Sequence, residues 1–154
     1  MLVHATCVAI RVGGRWRAAL LRGSSGAGKS DLALRLIEAG ARLVSDDQTS
    51  LRNHDGTVLA AAPASIRGLL EVRGIGIVQL DRSELVARAA VALLVDLVAA
   101  MEVERLPEPA HEVVLDTRLP RIALAPFEAS APAKLRLALT QAVKASSARR
   151  HHAR

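Results

Sequence analysis

Apolar residues recur in a partly alternating pattern over residues 2–12, at Val3, Val8, Ile10 and Val12, which predicts a strand. Gly13-Gly14 follows, a strong two-residue hairpin signal, and residues 15–22 with Trp16, Leu20 and Leu21 predict the returning strand. The period then changes. Leu32, Ala33, Leu36 and Ile37 share one face of a helix that opens near Lys29, and Gly40 stands where a glycine commonly ends one. Leu43-Val44-Ser45 predicts a short buried strand that runs into Asp46-Asp47. Asp55-Gly56 marks a second hairpin turn, with Val58 to Ala62 as its return.

Beyond Pro63 the pattern is harder to read. Residues 69–78 form an apolar segment with charges set into it, expected to be extended, so that Glu71 and Arg73 fall on one side. If buried, those two charges need partners and could pair with each other. Val91 to Val98 suits a buried strand, although Ala89, Ala90 and Ala92 leave a helix open. Residues 102–112, charged and Pro-containing, predict a mobile loop. Ile122 to Leu124 predicts a last strand, and Ala133 to Val143 a closing helix.

Composition narrows the function classes. A chain of 154 residues with 51% hydrophobic and 23% charged positions suits one globular domain. The single cysteine, Cys7, excludes an internal disulfide framework and a Cys-rich zinc site. Trp16 and Phe127 are the only aromatics, which argues against a surface that stacks nucleobases and so against nucleic acid as a partner. The longest apolar run, Ala89 to Val95, is far short of the about 20 residues a membrane helix needs, and no targeting signal is evident, so no membrane partner is expected and the cytoplasm is the expected compartment. Four of the net +6 charges (Lys144, Arg149, Arg150 and Arg154) fall in residues 144–154. The expected organisation is therefore a domain over 1–143 and a basic, irregular, solvated tail over 144–154.

The strongest chemical signal is Gly23-Ser24-Ser25-Gly26-Ala27-Gly28-Lys29-Ser30, a G-x-x-x-x-G-K-S pattern that follows an apolar strand and opens a helix. Closely spaced glycines let successive N–H groups converge on phosphate oxygens, and the helix adds its positive end at the same point. Lys29 is placed to reach the β- and γ-phosphates and the Ser30 hydroxyl to ligate Mg²⁺. Asp46 and Asp47 close the neighbouring strand, where a phosphate-loop protein commonly delivers a carboxylate toward the metal. Two carboxylates allow a division of labour, one toward the metal and one accepting the proton of an attacking hydroxyl, and the sequence leaves open which is which. Glu71 is a second candidate metal ligand, and Arg73 a candidate charge beside the transferring phosphoryl group. Gly74 and Gly76 would let backbone approach a ligand. Taken alone, His4 and Arg105 read as ordinary structural and solvated side chains.

Together these residues resemble the catalytic domain of HPr kinase/phosphorylase, from about His4 to Leu106 and more weakly to Leu139. The resemblance rests on His4, the 23–30 loop, Arg42-Leu43-Val44-Ser45-Asp46-Asp47, Leu70-Glu71-Val72-Arg73-Gly74-Ile75-Gly76-Ile77-Val78, and Glu104-Arg105-Leu106. It implies an α/β phosphate-loop fold of the PEP-carboxykinase-like type, a mixed β-sheet flanked by helices, in a short form without the family's N-terminal domain. It also implies an ATP- and Mg²⁺-dependent serine kinase of the phosphocarrier HPr, or of its nitrogen-branch counterpart in the phosphotransferase system. The reverse reaction is phosphorolysis of phosphoserine to give pyrophosphate, and a homo-hexamer is the usual assembly. Carried over by position, residues 23–30 bind the phosphates, Ser30 and Glu71 hold Mg²⁺, one of Asp46 and Asp47 is the base, and His4 and Arg105 join the site. The family's Pro-Gly-Arg-Asn element, tied to the reverse direction, has no match; Pro126-Phe127-Glu128 stands there instead. The rival readings are a small-molecule kinase and a non-catalytic nucleotide sensor.

Overall fold

The structure, a computed structural model, describes residues 1–152. Eleven strands and two α-helices follow one another along the chain, with short 3₁₀ turns between some of them. The first part runs β1 (Leu2–Val3), β2 (Ala5–Val12), β3 (Arg15–Arg22), α1 (Lys29–Glu38), β4 (Arg42–Ser45), β5 (Thr49–His54) and β6 (Thr57–Ala61). Then come β7 (Leu69–Val72), β8 (Gly76–Gln79), β9 (Arg88–Leu97), β10 (Ala110–Val114), β11 (Thr117–Leu124) and α2 (Ala131–His152).

Nine strands form one mixed sheet in the order β1-β5-β6-β9-β3-β2-β4, with the β10–β11 hairpin joined through β11 to β9. The β3–β9 and β9–β11 pairs are parallel and the rest antiparallel. Alternation along the central strands supplies two apolar faces. Val8 and Ile10 of β2 and Ala19 and Leu21 of β3 meet Leu32 and Leu36 of α1 and Leu135 and Leu139 of α2. Cys7, Ala9, Ala18 and Leu20 point the other way, into a second core closed with Leu51, Val58 and Leu119 as the sheet curls on itself. Both helices therefore lie on the same side. Burial pushes the Cys7 thiol well above its usual pKa, in keeping with its reading as a small apolar residue. Among the described residues no helix is long and apolar enough to cross a membrane.

Several expectations change. Residues 69–78 are not one extended segment but a separate two-stranded sheet, β7–β8. The burial that would make Glu71 and Arg73 need partners does not extend to its turn, with Ile75 78% and Ile77 73% exposed. The 89–98 ambiguity resolves as strand β9. A register shift against β3, where Ala18 pairs with Val91 and Ala19 with Leu93, skips Ala92 and breaks the period of two. Part of the expected 102–112 loop is β10, paired with residues 117–121 of a longer final strand. The closing helix begins earlier and continues through His152, so residues 144–152 are helical rather than an irregular tail; Ala and Arg there are strong helix formers. Ala153 and Arg154 lie outside the described residues.

The phosphate-loop segment leaves β3 at a fixed point because Arg22, its last residue, is gripped from two strands. Arg22 Nε donates to Asp96 Oδ1 on β9 at 2.9 Å, and Nη1 donates to Glu112 Oε2 on β10 at 2.6 Å. Arg121 of β11 also reaches Glu112, at 3.3 Å. The hydrogen bond from Arg22, reinforced by its charge and by Arg121, holds the Glu112 carboxyl below the usual range. A depressed folded-state pKa gives stability that is fully present above the unfolded value and lost as pH falls through the folded one. Glu112→Gln should therefore lower the melting temperature at neutral pH, and the gap from wild type should close on acidification below about pH 4.3. Melting curves of both proteins across that range check it.

Candidate active site

Positive φ values at Gly26 (83°) and Gly28 (102°) bend the chain from β3 into α1. Gly28 could not be replaced cheaply: a Cβ there would stand 2.9 Å from the Phe127 ring. No side chain caps α1, so its first-turn N–H groups are left for another acceptor. Lys29 is 5% exposed, and its ammonium donates to the carbonyls of Gly23 at 2.7 Å and Ser24 at 3.0 Å. The lysine thus closes its own loop and must exchange those carbonyls for any phosphate it engages.

Asp46, at the end of β4, is 7% exposed and uses both oxygens. Oδ1 accepts from the Thr6 hydroxyl at 2.9 Å and the Ser30 hydroxyl at 2.7 Å, and Oδ2 accepts from the Glu71 N–H at 3.0 Å. Asp47 is arranged differently. Its φ of 63° lies in the left-handed region, which Asp tolerates better than most residues, and its N–H donates to Thr6 Oγ1 at 3.0 Å. Its carboxylate is 59% exposed, with His4 Nδ1 3.5 Å away. Strained backbone held by surrounding contacts is a recurring feature of active sites.

Of Thr6, Asp46, Asp47 and His4, Asp47 borders a cleft of about 300 Å³ lined also by Ser25, Gly26, Gly28, Lys29, Ser30, Glu71, Arg73 and Phe127, among others. Arg73 sits in the β7–β8 turn, its guanidinium 3.9 Å from where a Gly26 Cβ would be. No ion pair joins it to Glu71, so the structural pairing considered from sequence is not formed. Arg105 is not brought to the cleft. It is exposed on the connection between β9 and β10, and among the described residues no hydrogen bond or ion pair includes it.

Sequence reading missed Thr6, whose one hydroxyl serves both aspartates; a lone polar residue in an apolar strand was the available signal. It also missed Arg35 of α1, which donates to the carbonyls of Pro126 and Glu128 and so holds Phe127, 69% exposed, against Gly28.

The donors at the cleft suit Mg²⁺. Ser30 and Glu71 offer hard oxygen ligands, and among the described residues no group of three or more His, Cys, Asp or Glu could cage a metal by itself. Mg²⁺ typically binds through one or two protein oxygens together with substrate phosphates.

A family model described as HPr Serine kinase C-terminal domain matches residues 1–145. The chain belongs to that family. Curated members of the HPr kinase/phosphorylase group share its local sequence: one from Clostridium botulinum is 49% identical over 63 residues, 41% of this chain and 21% of the relative. Another, from Listeria monocytogenes, is 50% identical over 60 residues, 38% of this chain and 19% of the relative. The matched stretch thus spans about a fifth of those relatives. A structure described as the Hpr(Ser) kinase/phosphatase from Coxiella burnetii superposes with a TM-score of 0.75 at 23% identity, covering 98% of this chain and 99% of that one. The HPr kinase catalytic fold, a curled mixed sheet with few helices, is therefore shared along nearly the whole chain.

Two substitutions test the geometry. Thr6→Val keeps the shape but leaves Asp46 one donor short, and should cost about 1–3 kcal/mol in denaturant unfolding. Gly28→Ala should abolish nucleotide binding, measured by calorimetry, because the φ of 102° and the Phe127 contact both oppose a Cβ.

Proposed function

We propose that this chain transfers a phosphoryl group from ATP to a serine hydroxyl of a small HPr-like phosphocarrier, and that the same site can run the reverse phosphorolysis. Family membership and the names of the relatives support the reaction class. The observation that carries the reading is the contrast between adjacent aspartates, one buried with both oxygens bonded and the other exposed at the cleft wall.

That contrast supports a division of roles. Asp47 is the base: its free carboxylate can accept the serine proton as the oxygen attacks the terminal phosphorus, and return it in the reverse direction. His4, with Nδ1 3.5 Å from the Asp47 carboxylate, positions it. Asp46 orients Ser30 and the Glu71 backbone. The N–H groups of residues 28–31 donate to the phosphate oxygens, Lys29 and Arg73 neutralise charge on the moving group, and Ser30 and Glu71 hold the cation. Mg²⁺, when bound with the nucleotide, supplies further charge neutralisation. Positioning and electrostatics are most of what phosphoryl transfer requires.

The forward direction has the firmer support, because Pro126-Phe127-Glu128 replaces the element tied to phosphorolysis. Arg105 enters this scheme only if the β9–β10 connection moves.

Incubation with ATP, Mg²⁺ and an HPr-like protein should add one phosphate to a serine by mass spectrometry. Asp47→Asn should cut the rate by about 10²–10⁴-fold, the usual contribution of a general base, with nucleotide affinity nearly unchanged. Nucleotide binding without transfer by the wild type would favour a sensor, and an unimpaired Asp47→Asn would place the base elsewhere.

A further inference from the structure

Away from the phosphate loop, a second cavity of about 160 Å³ opens where β9 changes partners. On one side β6 pairs with β9 only as far as Ala90, and β11 takes over only from Leu94. The residues between lie at the bulge against β3, so the sheet forks there, and the last turns of α2 close over the gap.

Four arginines from three elements converge on this cavity: Arg17 of β3, Arg118 of β11, and Arg149 and Arg150 of α2. None of the described residues that line it is acidic. In the Arg22–Arg121 cluster, by contrast, the two arginines are met by Asp96 and Glu112. Here Arg17 Nε is buried without a hydrogen-bond partner, a state that costs free energy and is uncommon in folded proteins. Burial, then the charges of Arg15 and Arg150, hold the Arg17 pKa below its usual value. Arg118 lies 3.3 Å from His111 Nδ1, and partial desolvation with the charges of Arg118 and Arg149 lowers the His111 pKa. With Nδ1 unprotonated, the ring accepts that arginine's hydrogen bond.

Cations in the last turn of a helix also complement its dipole, which accounts for Arg149 and Arg150. It does not account for Arg17 and Arg118, which come from strands. The cavity, about 160 Å³ against about 300 Å³ for the phosphate-loop cleft, has room for a tetrahedral oxyanion with some hydration. Thr57, Ser146 and Ser147 add neutral donors at its wall.

We propose that this cavity is an anion site, distinct from the phosphate loop, that takes a phosphate group, either as the free ion or as the phosphate of a small phosphomonoester. Guanidinium forks match phosphate oxygens in geometry and charge. Such a ligand would also tie the end of α2 to β3 and β11.

Amide and arginine Nε–H shifts of the ¹⁵N-labelled chain test this during titration with inorganic phosphate and, separately, glycerol 3-phosphate. Saturable shifts are expected at residues 17, 118 and 146–150 with at least one of the two. Response to both identifies a phosphomonoester-competent site, and response to inorganic phosphate alone identifies a free-ion site. R149Q/R150Q should weaken that response about tenfold or more, as loss of charged hydrogen bonds implies, while shifts at 23–31 persist. Arg118→Gln should do the same from a different element, which separates loss of the site from fraying of α2. Lys29→Ala should show the converse, losing the 23–31 response and keeping this one. No saturable shift at 17, 118 and 146–150 with either probe, or one undiminished in both arginine variants, overturns the proposal.

Discussion

The buried carboxylate of Asp46 accepts hydrogen bonds from three separate parts of the chain: the Thr6 hydroxyl on β2, the Ser30 hydroxyl in the first turn of α1, and the Glu71 N–H on β7. A charge 7% exposed is tolerable only because its oxygens are so fully engaged. The same three bonds set the distances within the site. Ser30 is fixed relative to the end of β4, and the β7–β8 hairpin, which carries Glu71 and Arg73, is moored to the cleft. Thr6 extends the arrangement by accepting from the Asp47 N–H while that residue adopts a left-handed conformation. Rigid support for the adjacent carboxylate follows from the burial of the first.

A second layer fixes the phosphate loop from outside. Arg22 anchors its entrance through Asp96 and Glu112, and Arg35 holds the 126–128 segment so that Phe127 rests on Gly28. The two arginines act on the two ends of one bend. Neither touches the reacting groups in the proposed chemistry; both act by positioning.

Much of this was legible in the amino-acid order because it is local. Glycines at 13, 14, 26, 28 and 56 are needed for backbone that other residues adopt at a cost, so the first hairpins and the loop could be read directly. The paired aspartates announced themselves by standing at a strand's end, but the contrast between them depends on Thr6, Ser30 and Glu71, which are 40, 16 and 25 positions from Asp46. No local pattern encodes that. The β10–β11 hairpin went unread because its turn uses Leu115 and Asp116, both at positive φ, in place of the usual Asn-Gly; Asn53 Nδ2 bonds the Leu115 carbonyl at 2.6 Å from another hairpin. Strand β9 was ambiguous because a bulge moves Val91 to the opposite face from Leu93. The end of α2 is solvated, as its charges imply, but helical rather than irregular, because it continues a helix whose buried face ends at Leu139.

Calorimetric titration of the wild-type chain with MgATP, and separately with magnesium pyrophosphate, tests the central claim that residues 23–30 grip a polyphosphate beside the two aspartates. The account predicts a saturable heat with a stoichiometry of one per chain that Lys29→Ala removes. Absence of any saturable heat with either ligand, or binding unaffected by Lys29→Ala, would contradict it.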